Sequence, residues 1–371
     1  MNSSAATMSP ATIPQAWRSS DFRSAADYSL ALDDADRAEL VAAAEWLRAT
    51  GRLKPVEALV QTDFDLPRLA PRLAAAYAQV RDGIGFVVLR GLPRAEVDLD
   101  AFTAITWGVG RWFGRAISQN AAGRMVEHVC NTSKSDATPR MYASAFELSL
   151  HNDVTAMLSL ACWQPGLTGG ENMLGSGLAI HEEIARLRPD LLEVLYKGFH
   201  YHRLGEEAEG APQYSPWRMP VFSKVGDQVS VRYQRTGYLA AHHDFGLGLT
   251  EAELDAADLF EELGRDPRFH IELALGPGDM VVINNYTVMH ARKAFTEGDT
   301  DETRRRLVRY WFDNDGFRNT VPELNLFAES NGIPPQPGRR CTYDFARLIR
   351  EAPPEMLGGH WRKAALAQKS S

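Results

Sequence analysis

The chain has 371 residues, of which 44% are hydrophobic and 24% are charged, which is the usual composition of a globular protein. Its formal net charge of -8, without a long basic stripe, argues against binding to nucleic acid. Its apolar runs are too short to span a membrane, and its three cysteines lack the spacing of a disulfide framework or a zinc site. We therefore expect a cytoplasmic protein that binds neither nucleic acid nor membranes, and a homo-oligomer is left open.

The first half of the chain combines helices with short strands. Residues 1–20 are rich in Ser, Ala and Pro and are predicted to be a flexible leader. Apolar residues at spacings of three and four predict helices over residues 33–50, 69–81 and about 98–113. Extended segments are predicted at residues 86–90, 125–129, 146–150, 157–163 and 173–174.

The second half shows the same mixture. A helix is predicted over residues 180–195, with a kink at Pro189, and another over residues 251–263, while residues 276–279 form a strong turn. Extended segments are predicted at residues 220–223, 229–234, 271–275, 280–284 and 307–312. Helices at the front and inserts between many short strands predict an α+β fold with an antiparallel β core.

The domain prediction follows from this order of elements. We expect one domain over residues 21–355, with an insertion at about 177–270 and a C-terminal tail at 356–371. Within the insertion, residues 205–248 are rich in glycine and aromatic residues, and we interpret this segment as a lid.

A His-x-Asp pair, His151 and Asp153, is the first candidate for metal binding. Side chains two residues apart on an extended chain point the same way, so both can reach one ion. The best third donor is His290, which follows the strand at 280–284. Two histidines and one carboxylate leave positions open for a 2-oxoacid and O₂, as in non-haem iron(II) oxygenases. Taken singly, these residues have a plainer interpretation as loop or packed side chains.

An arginine-rich segment follows His290. On a strand, Arg305, Leu307, Arg309 and Trp311 share one face. An arginine that points inward beside this apolar run needs an anionic partner, and a dicarboxylate co-substrate would fit a guanidinium in bidentate fashion. The alternative is that such arginines lie at the surface, as most arginines do.

Taken together and in order, these pieces resemble the TauD/TfdA-type family of 2-oxoglutarate-dependent oxygenases, which belongs with the clavaminate-synthase-like enzymes. The resemblance covers roughly residues 35–315. The segments that carry it are GIGFVVLRGLP at 83–93, ELSLHND at 147–153, GGE at 169–171, PDLL at 189–192, PGD at 277–279, NNYTVMHAR at 284–292 and the arginine-rich strand.

The resemblance implies a fold, a metal and a co-substrate. The fold is a double-stranded β-helix, or jelly roll, with flanking helices. The resemblance implies that His151, Asp153 and His290 bind iron(II) and that Arg305 binds the distal carboxylate of 2-oxoglutarate. Arg305 is chosen because the family's anchor lies four residues before another arginine, here Arg309, which in the family lies near the co-substrate or substrate.

Two further positions come from the same resemblance. The family usually has Thr or Ser two residues after the double glycine, in contact with 2-oxoglutarate. In this chain the position is Asn172, whose amide can also donate a hydrogen bond. Gln119 matches a family position near the substrate, although a surface or helix-end amide is an equal interpretation.

The implied reaction consumes O₂ and 2-oxoglutarate, gives succinate and CO₂, and oxidises, in the simplest case hydroxylates, a C–H bond of a small polar molecule such as an amino acid or carboxylic acid. Desaturation or cyclisation stays open, as do a zinc-dependent hydrolase or isomerase on a similar barrel and a silent binding protein. The candidate substrate residues are Gln119, Arg232, Arg235, Tyr238 and Arg309, and the arginines at 232 and 235 could equally pair with surface acids.

Overall fold

The computed structural model describes residues 14–132, 141–327, 331–336, 338–339 and 343–352. Its α-helices are α1 (Asp34–Ala49), α2 (Leu69–Asp82), α3 (Leu99–Gly110), α4 (Gly177–Leu187), α5 (Pro189–Lys197), α6 (Arg235–Phe245), α7 (Glu251–Arg265) and α8 (Phe345–Glu351). Its strands are β1 (Ser29–Ala31), β2 (Phe86–Arg90), β3 (Arg115–Ile117), β4 (Val126–Val129), β5 (Leu148–His151), β6 (Met157–Gln164), β7 (Thr168–Gly169), β8 (Asn172–Ser176), β9 (Phe222–Val225), β10 (Gln228–Val231), β11 (His270–Leu273), β12 (Met280–Asn284), β13 (Val288–Arg292), β14 (Phe295–Thr296) and β15 (Arg306–Asp313).

Two β-sheets form the centre of the molecule. The major sheet has the order β1-β2-β12-β6-β15-β3, and β4 also pairs with β15. The minor sheet has the order β11-β8-β13-β5. Their strands are antiparallel except where β1 meets β2. A mixed helix and sheet fold is confirmed, and the two facing sheets are those of the double-stranded β-helix that the resemblance implied.

Side-chain alternation divides the residues of the major sheet between two cores. On β12, Met280 and Val282 pack with the N-terminal helices, whereas Val281 and Ile283 pack between the two sheets. The space between the sheets also receives Leu174 from the minor sheet. This is the expected period of two for a strand that is buried on both faces.

The N-terminal helices cover the outer face of the major sheet. The apolar positions of α1 that the sequence predicts to share a face are buried there, and Asp33 caps this helix by accepting a hydrogen bond from Asp36 N at 3.0 Å. The predicted helices at 69–81 and about 98–113 correspond to α2 and α3. No helix in the described part of the chain has the length and apolar character needed to cross a membrane.

The insertion has its own core on the outer face of the minor sheet. Ile180 and Ile184 of α4 and Phe260 of α7 pack with Met289 and Ala291, which point away from the space between the sheets. The predicted kink at 189 is a full break, because α4 ends and a separate α5 starts at the proline. The insertion therefore backs the sheet that carries both candidate histidines.

The flexible leader predicted over residues 1–20 includes a segment that the structure shows to be packed. Trp17 is fully buried in the core between the sheets, and its indole Nε1 donates to Ile84 O at 2.8 Å. Residues 14–20 therefore belong to the folded part, because one large aromatic side chain is enough to anchor a polar segment. Residues 1–13 and the predicted tail at 356–371 lie outside the described residues.

Candidate metal centre and substrate cavity

Two histidines meet across the minor sheet. His151 ends β5, His290 lies in β13, and the two residues are direct partners in the antiparallel register. Their ring centroids are 4.2 Å apart. The register then shifts before Arg292, a β-bulge of the kind that is common beside active sites. Strand pairing thus joins two side chains that are distant in sequence.

Asp153 follows β5 and reaches the same space as His151. The residue between them, Asn152, points the other way: its Nδ2 donates to two carbonyl oxygens at the β12–β13 turn, at 3.0 and 3.2 Å. Its Oδ1 accepts from Tyr233 N at 3.0 Å. Asn152 therefore anchors the segment while its neighbours face the site, as strand alternation predicts.

The three candidate ligands are close enough to share one ion, since one donor atom from each of His151, Asp153 and His290 lies within 4.8 Å of the others. His151 Nδ1 lies 2.8 Å from Ser149 O, and donation there leaves Nε2 with its lone pair. Among the described residues, His290 Nδ1 has no hydrogen-bond partner although it is buried. Two such imidazoles with one carboxylate fit a mononuclear iron(II) ion.

Asp153 is held through one of its two carboxylate oxygens. Oδ2 accepts from Trp311 Nε1 at 2.8 Å and lies 3.3 Å from Arg309 Nη1, while Oδ1 lies 3.6 Å from His151 Nε2. Burial opposes ionisation of this carboxyl, but the charge of Arg309, the two histidines and the indole hydrogen bond outweigh it and lower its pKa to about 2. The carboxylate is therefore ionised, with Oδ1 left for a metal.

His290 is prepared for the same role by its surroundings. Burial lowers its pKa to about 3, and the neighbouring His151 and Arg309 act in the same direction, while Asp153 opposes them. A neutral imidazole at physiological pH is the form that binds metals.

Arg305 is a buried cation that directly precedes β15. Its side chain is only 4% exposed, and it forms no ion pair with any carboxylate in the described ranges. Its guanidinium lies over the Phe295 ring, 5.1 Å from the centroid, and burial lowers its pKa. Because Leu307 and Trp311 of the same strand face lie between the sheets, Arg305 extends the inward-facing row that the sequence predicts. A buried guanidinium of this kind requires an anion.

Asn172 faces the same interior space. It lies in β8 two residues before Leu174, which packs between the sheets, and it is the register partner of Arg292. The side chain is 4% exposed. This position is compatible with the predicted contact to 2-oxoglutarate, which stays a prediction.

A cavity that is open to solvent adjoins the candidate metal centre. The site contributes His151, Asp153, Arg309 and Trp311 to its wall. The insertion contributes His202, Arg203, Leu204, Glu206, Gln234, Arg235 and Thr236, and the C-terminal segment contributes Leu326, Phe327, Ile333 and Phe345. A pocket with a few converging polar groups suits a small molecule.

Three of the predicted substrate residues do not line this cavity. Gln119 is fully buried behind Arg309, accepting from its Nε at 2.8 Å and donating to its carbonyl oxygen at 2.9 Å. Arg232 donates to the backbone carbonyl of Asp153, and Tyr238 stacks on the aromatic core of the insertion. The predicted substrate role of these three residues is corrected to a structural one, because they lie outside the cavity wall and pack against or hydrogen-bond to the protein.

The two remaining candidates, Arg235 and Arg309, line the cavity but form ion pairs with acidic residues of the protein. Arg235 lies 2.7 Å from Asp258 and 3.5 Å from Glu261, so the predicted alternative of pairing with acids holds, although Glu261 is buried. Arg309 Nη1 lies 3.3 Å from Asp153 Oδ2, which gives this arginine a role in orienting the carboxylate. Because Arg309 also lines the cavity, its predicted contact with co-substrate or substrate stays a prediction.

Sequence reasoning missed the role of Trp311 and the cavity residue Arg203. The period of two on the last strand placed Trp311 beside Arg309, and that was the available signal for a partner of the metal ligand. For Arg203 there was no local signal, because its segment has neither a strand period nor a helix period.

Two facing sheets with two histidines and one carboxylate between them are the arrangement of mononuclear non-haem iron oxygenases. The model of the "Taurine catabolism dioxygenase TauD, TfdA family" matches residues 50–311, and the chain belongs to this family. The resemblance found in the sequence is thereby confirmed, and the protein is a dioxygenase.

Curated relatives match most of the chain. It is 29% identical over 327 residues to FR-33289 synthase of Streptomyces rubellomurinus, which covers 85% of this chain and 94% of the relative. It is 26% identical over 307 residues to the taurine hydroxylase-like protein SAT17 of Stachybotrys chartarum, with 79% and 77% covered.

Solved structures share the fold at low sequence identity. An asparagine oxygenase in complex with Fe(II), 3-hydroxyasparagine and succinate has a TM-score of 0.59 and 16% identity, covering 76% of this chain and 93% of the other. The non-haem iron oxygenase OrfP in complex with Fe and α-ketoglutaric acid has a TM-score of 0.57 and 14% identity, covering 77% and 94%.

Proposed function

We propose that this dioxygenase uses Fe(II) and 2-oxoglutarate to hydroxylate a C–H bond of a small polar molecule, such as an amino acid or carboxylic acid. His151, Asp153 and His290 are the proposed iron ligands. The observation that carries this proposal is the convergence of these donor atoms within 4.8 Å. When bound, iron(II) with 2-oxoglutarate supplies oxygen activation coupled to formation of succinate and CO₂.

The side chains around the centre prepare it for that chemistry. Trp311 and Arg309 hold Asp153 Oδ2, so the carboxylate presents Oδ1 and cannot rotate freely. Gln119 fixes Arg309 from behind. The orientation of the metal ligand thus rests on hydrogen bonds that the folded chain supplies in advance.

Arg305 is the proposed anchor for the distal carboxylate of 2-oxoglutarate. Its guanidinium has no competing acid among the described residues, and the Gly169–Gly170 turn lies against it. Asn172 is the proposed second polar contact on that side. Charge-assisted binding to a buried guanidinium offsets the cost of leaving that cation unpaired.

The choice of a small polar substrate is supported by the polar groups that converge on the cavity, among them His202, Arg203 and Glu206. Structural neighbours include an asparagine oxygenase and a protein crystallised with (3S)-hydroxy-L-Arg. Desaturation or cyclisation remains the alternative, and the mass of the product distinguishes them. Family membership removes the support for a zinc hydrolase or a silent binding protein.

We further propose that residues 21–355 act as one oxygenase domain, in which the insertion at about 177–270 serves as a lid. The six helices and strands of this insertion, α4, α5, β9, β10, α6 and α7, all contribute buried residues to the core on the outer face of the minor sheet. The first turn of α6 also lines the cavity. A cytoplasmic location is proposed because Cys130 and Cys162 are free thiols, while Cys341 lies outside the described residues.

The substitution His290→Ala tests the assignment of this ligand. We expect it to abolish succinate formation from 2-oxoglutarate, because two remaining ligands do not hold iron(II) in a reactive geometry. His128→Ala, at an exposed histidine of β4, serves as the control and should retain turnover. Succinate formation by His290→Ala at the rate of the control would remove this histidine from the site.

A further inference from the structure

Three arginines line the cavity, and they differ in their partners. Arg309 is paired with Asp153, and Arg235 is paired with Asp258 and Glu261. Arg203 has no carboxylate within ion-pair distance in the described ranges of the chain. It is also 7% exposed, so its charge is largely removed from water. A buried, unneutralised cation in the wall of a substrate cavity needs an anion from outside the chain.

The contacts of Arg203 fix its position without neutralising its charge. Nε donates to Leu326 O at 3.0 Å and Nη1 donates to Pro212 O at 3.0 Å, while Nη2 has no such bond. The guanidinium lies 5.8 Å from the ring centroid of Phe327, which also lines the cavity. Two neutral carbonyl oxygens orient a guanidinium, but they supply no full negative charge.

The acid whose charge acts on the pKa of Arg203 has another partner. Burial lowers the pKa of Arg203, and the carboxylate that counters this effect is that of Glu207. Glu207, however, forms an ion pair with Arg339, with Oε1 and Nη2 2.7 Å apart. The charge of Arg203 is therefore left for a ligand.

The backbone beside Arg203 is strained. Leu204 has a φ of +57°, in the left-handed region, and among the described residues it alone occupies that region without being a glycine. Its amide donates to His202 Nδ1 at 2.7 Å, and both residues line the cavity. Strain of this kind persists where the surrounding structure enforces it, commonly at ligand sites.

We propose that Arg203 is the anchor for an anionic group of the substrate, so that the substrate class is small organic anions, including zwitterions: carboxylates, sulfonates or phosphonates. This inference rests on the proposed function, since the same cavity reaches the candidate metal centre. Arg203 then selects the substrate from the insertion, which contributes to the wall of the same cavity, while Arg305 remains the proposed site for 2-oxoglutarate.

Binding of matched pairs of compounds tests the proposal. The probes are L-asparagine, L-arginine and taurine, each beside an analogue without the anion: asparagine amide, arginine amide and ethanolamine. These compounds are titrated anaerobically into the protein loaded with Fe(II) and 2-oxoglutarate. The loaded protein is expected to show a weak visible charge-transfer band from the iron to 2-oxoglutarate, and a change in this band reports binding of the compound. We expect the wild type to prefer at least one anion to its analogue, and Arg203→Gln to weaken that anion's binding roughly tenfold to hundredfold.

Two comparisons keep the result interpretable. Arg218→Gln, which removes another arginine of the insertion outside the cavity, should bind the anion as the wild type does. Arg203→Lys, which keeps the charge, should lie between the wild type and Arg203→Gln. The band itself, before any probe is added, should be the same in all variants, which shows that the fold and the co-substrate site survive.

The outcomes separate this proposal from the proposed function. Absence of the band in the wild type contradicts the proposed function. A normal band with no anion preferred by the wild type, or with equal loss of anion and analogue in Arg203→Gln, contradicts the assignment of Arg203.

Discussion

At the residue scale, the geometry of the site depends on which groups contact each oxygen of the Asp153 carboxylate. Asp153 gives Oδ2 to Trp311 and Arg309 and keeps Oδ1 beside His151. Neither protein donor reaches the oxygen that faces the histidines. The outer partners therefore set the orientation of the carboxylate before any metal arrives, and they hold it ionised.

Removing the indole donor should weaken metal binding. Trp311→Phe keeps the aromatic packing between the sheets but loses the 2.8 Å hydrogen bond to Asp153. We expect affinity for Fe(II), measured by calorimetry without oxygen, to fall about tenfold or more. Trp46→Phe, at a tryptophan that is 46% exposed, is the matched control and should leave the affinity unchanged. Equal affinity in both variants would mean that the indole has no positioning role.

The sequence predicts the ligands better than their neighbours. His151 and Asp153 share a face because alternation along a strand is a local rule. Gln119 is predicted near the substrate because it matches a family position, whereas Arg232 and Tyr238 are predicted only as candidate pocket residues. Which polar groups they contact depends on distant parts of the chain, and a single sequence does not contain that information.

At the element scale, the turn between β7 and β8 positions the co-substrate anchor. Gly169 and Gly170 have φ values of +72° and +77°, a conformation that glycine adopts at little cost. A Cβ atom at Gly170 would lie 3.1 Å from Arg305 Nε. The double glycine therefore lets the chain pass close to the guanidinium.

A pair of glycine substitutions separates backbone strain from this contact. Gly170→Ala and Gly210→Ala both place alanine at a similar positive φ, +77° and +76°, but a Cβ at Gly210 meets nothing within 4 Å. Both should lower the free energy of unfolding by about 1–2 kcal/mol. Gly170→Ala alone should raise the KM for 2-oxoglutarate, roughly threefold or more, because Arg305 must shift. A similar KM in both variants would argue against Arg305 as the anchor.

Periodicity predicts elements with a strong pattern and misses the others. The helices α1, α2 and α7 and the strands β2 and β12 correspond to predicted segments because their apolar residues repeat regularly. Helix α6 lies in the predicted lid segment and was missed because glycine and aromatic residues hide its period. Strand β13 was missed because every residue in it is buried, so no alternation of polar and apolar residues marks it.

At the scale of the whole molecule, burial in the folded protein keeps some histidines neutral. Burial lowers the pKa of His242, in the insertion, to about 4, and that of His290, in the minor sheet, to about 3. An unfolded chain binds these protons with a pKa near 6.5. The unfolded state therefore takes up more protons than the folded state as the pH falls below that value.

The apoprotein should accordingly lose stability as the pH is lowered from 7 to 5. Asp153 stays ionised in that range because its pKa of about 2 lies below it, so its contribution to stability is retained. The variant His242→Phe should show a weaker fall in the urea midpoint over the same range, since it lacks one of the histidines whose pKa is lowered by burial. A fall as steep as that of the wild type would show that His242 does not contribute.

The central claim is that one iron ion lies between His151, Asp153 and His290. Anomalous diffraction at the iron edge, from crystals grown without oxygen with Fe(II) and 2-oxoglutarate, tests it most directly. The account predicts a single strong peak within bonding distance of all three side chains, with the co-substrate carboxylate at Arg305. An iron peak at any other position, or none between these residues in protein that carries one iron per chain, would contradict it.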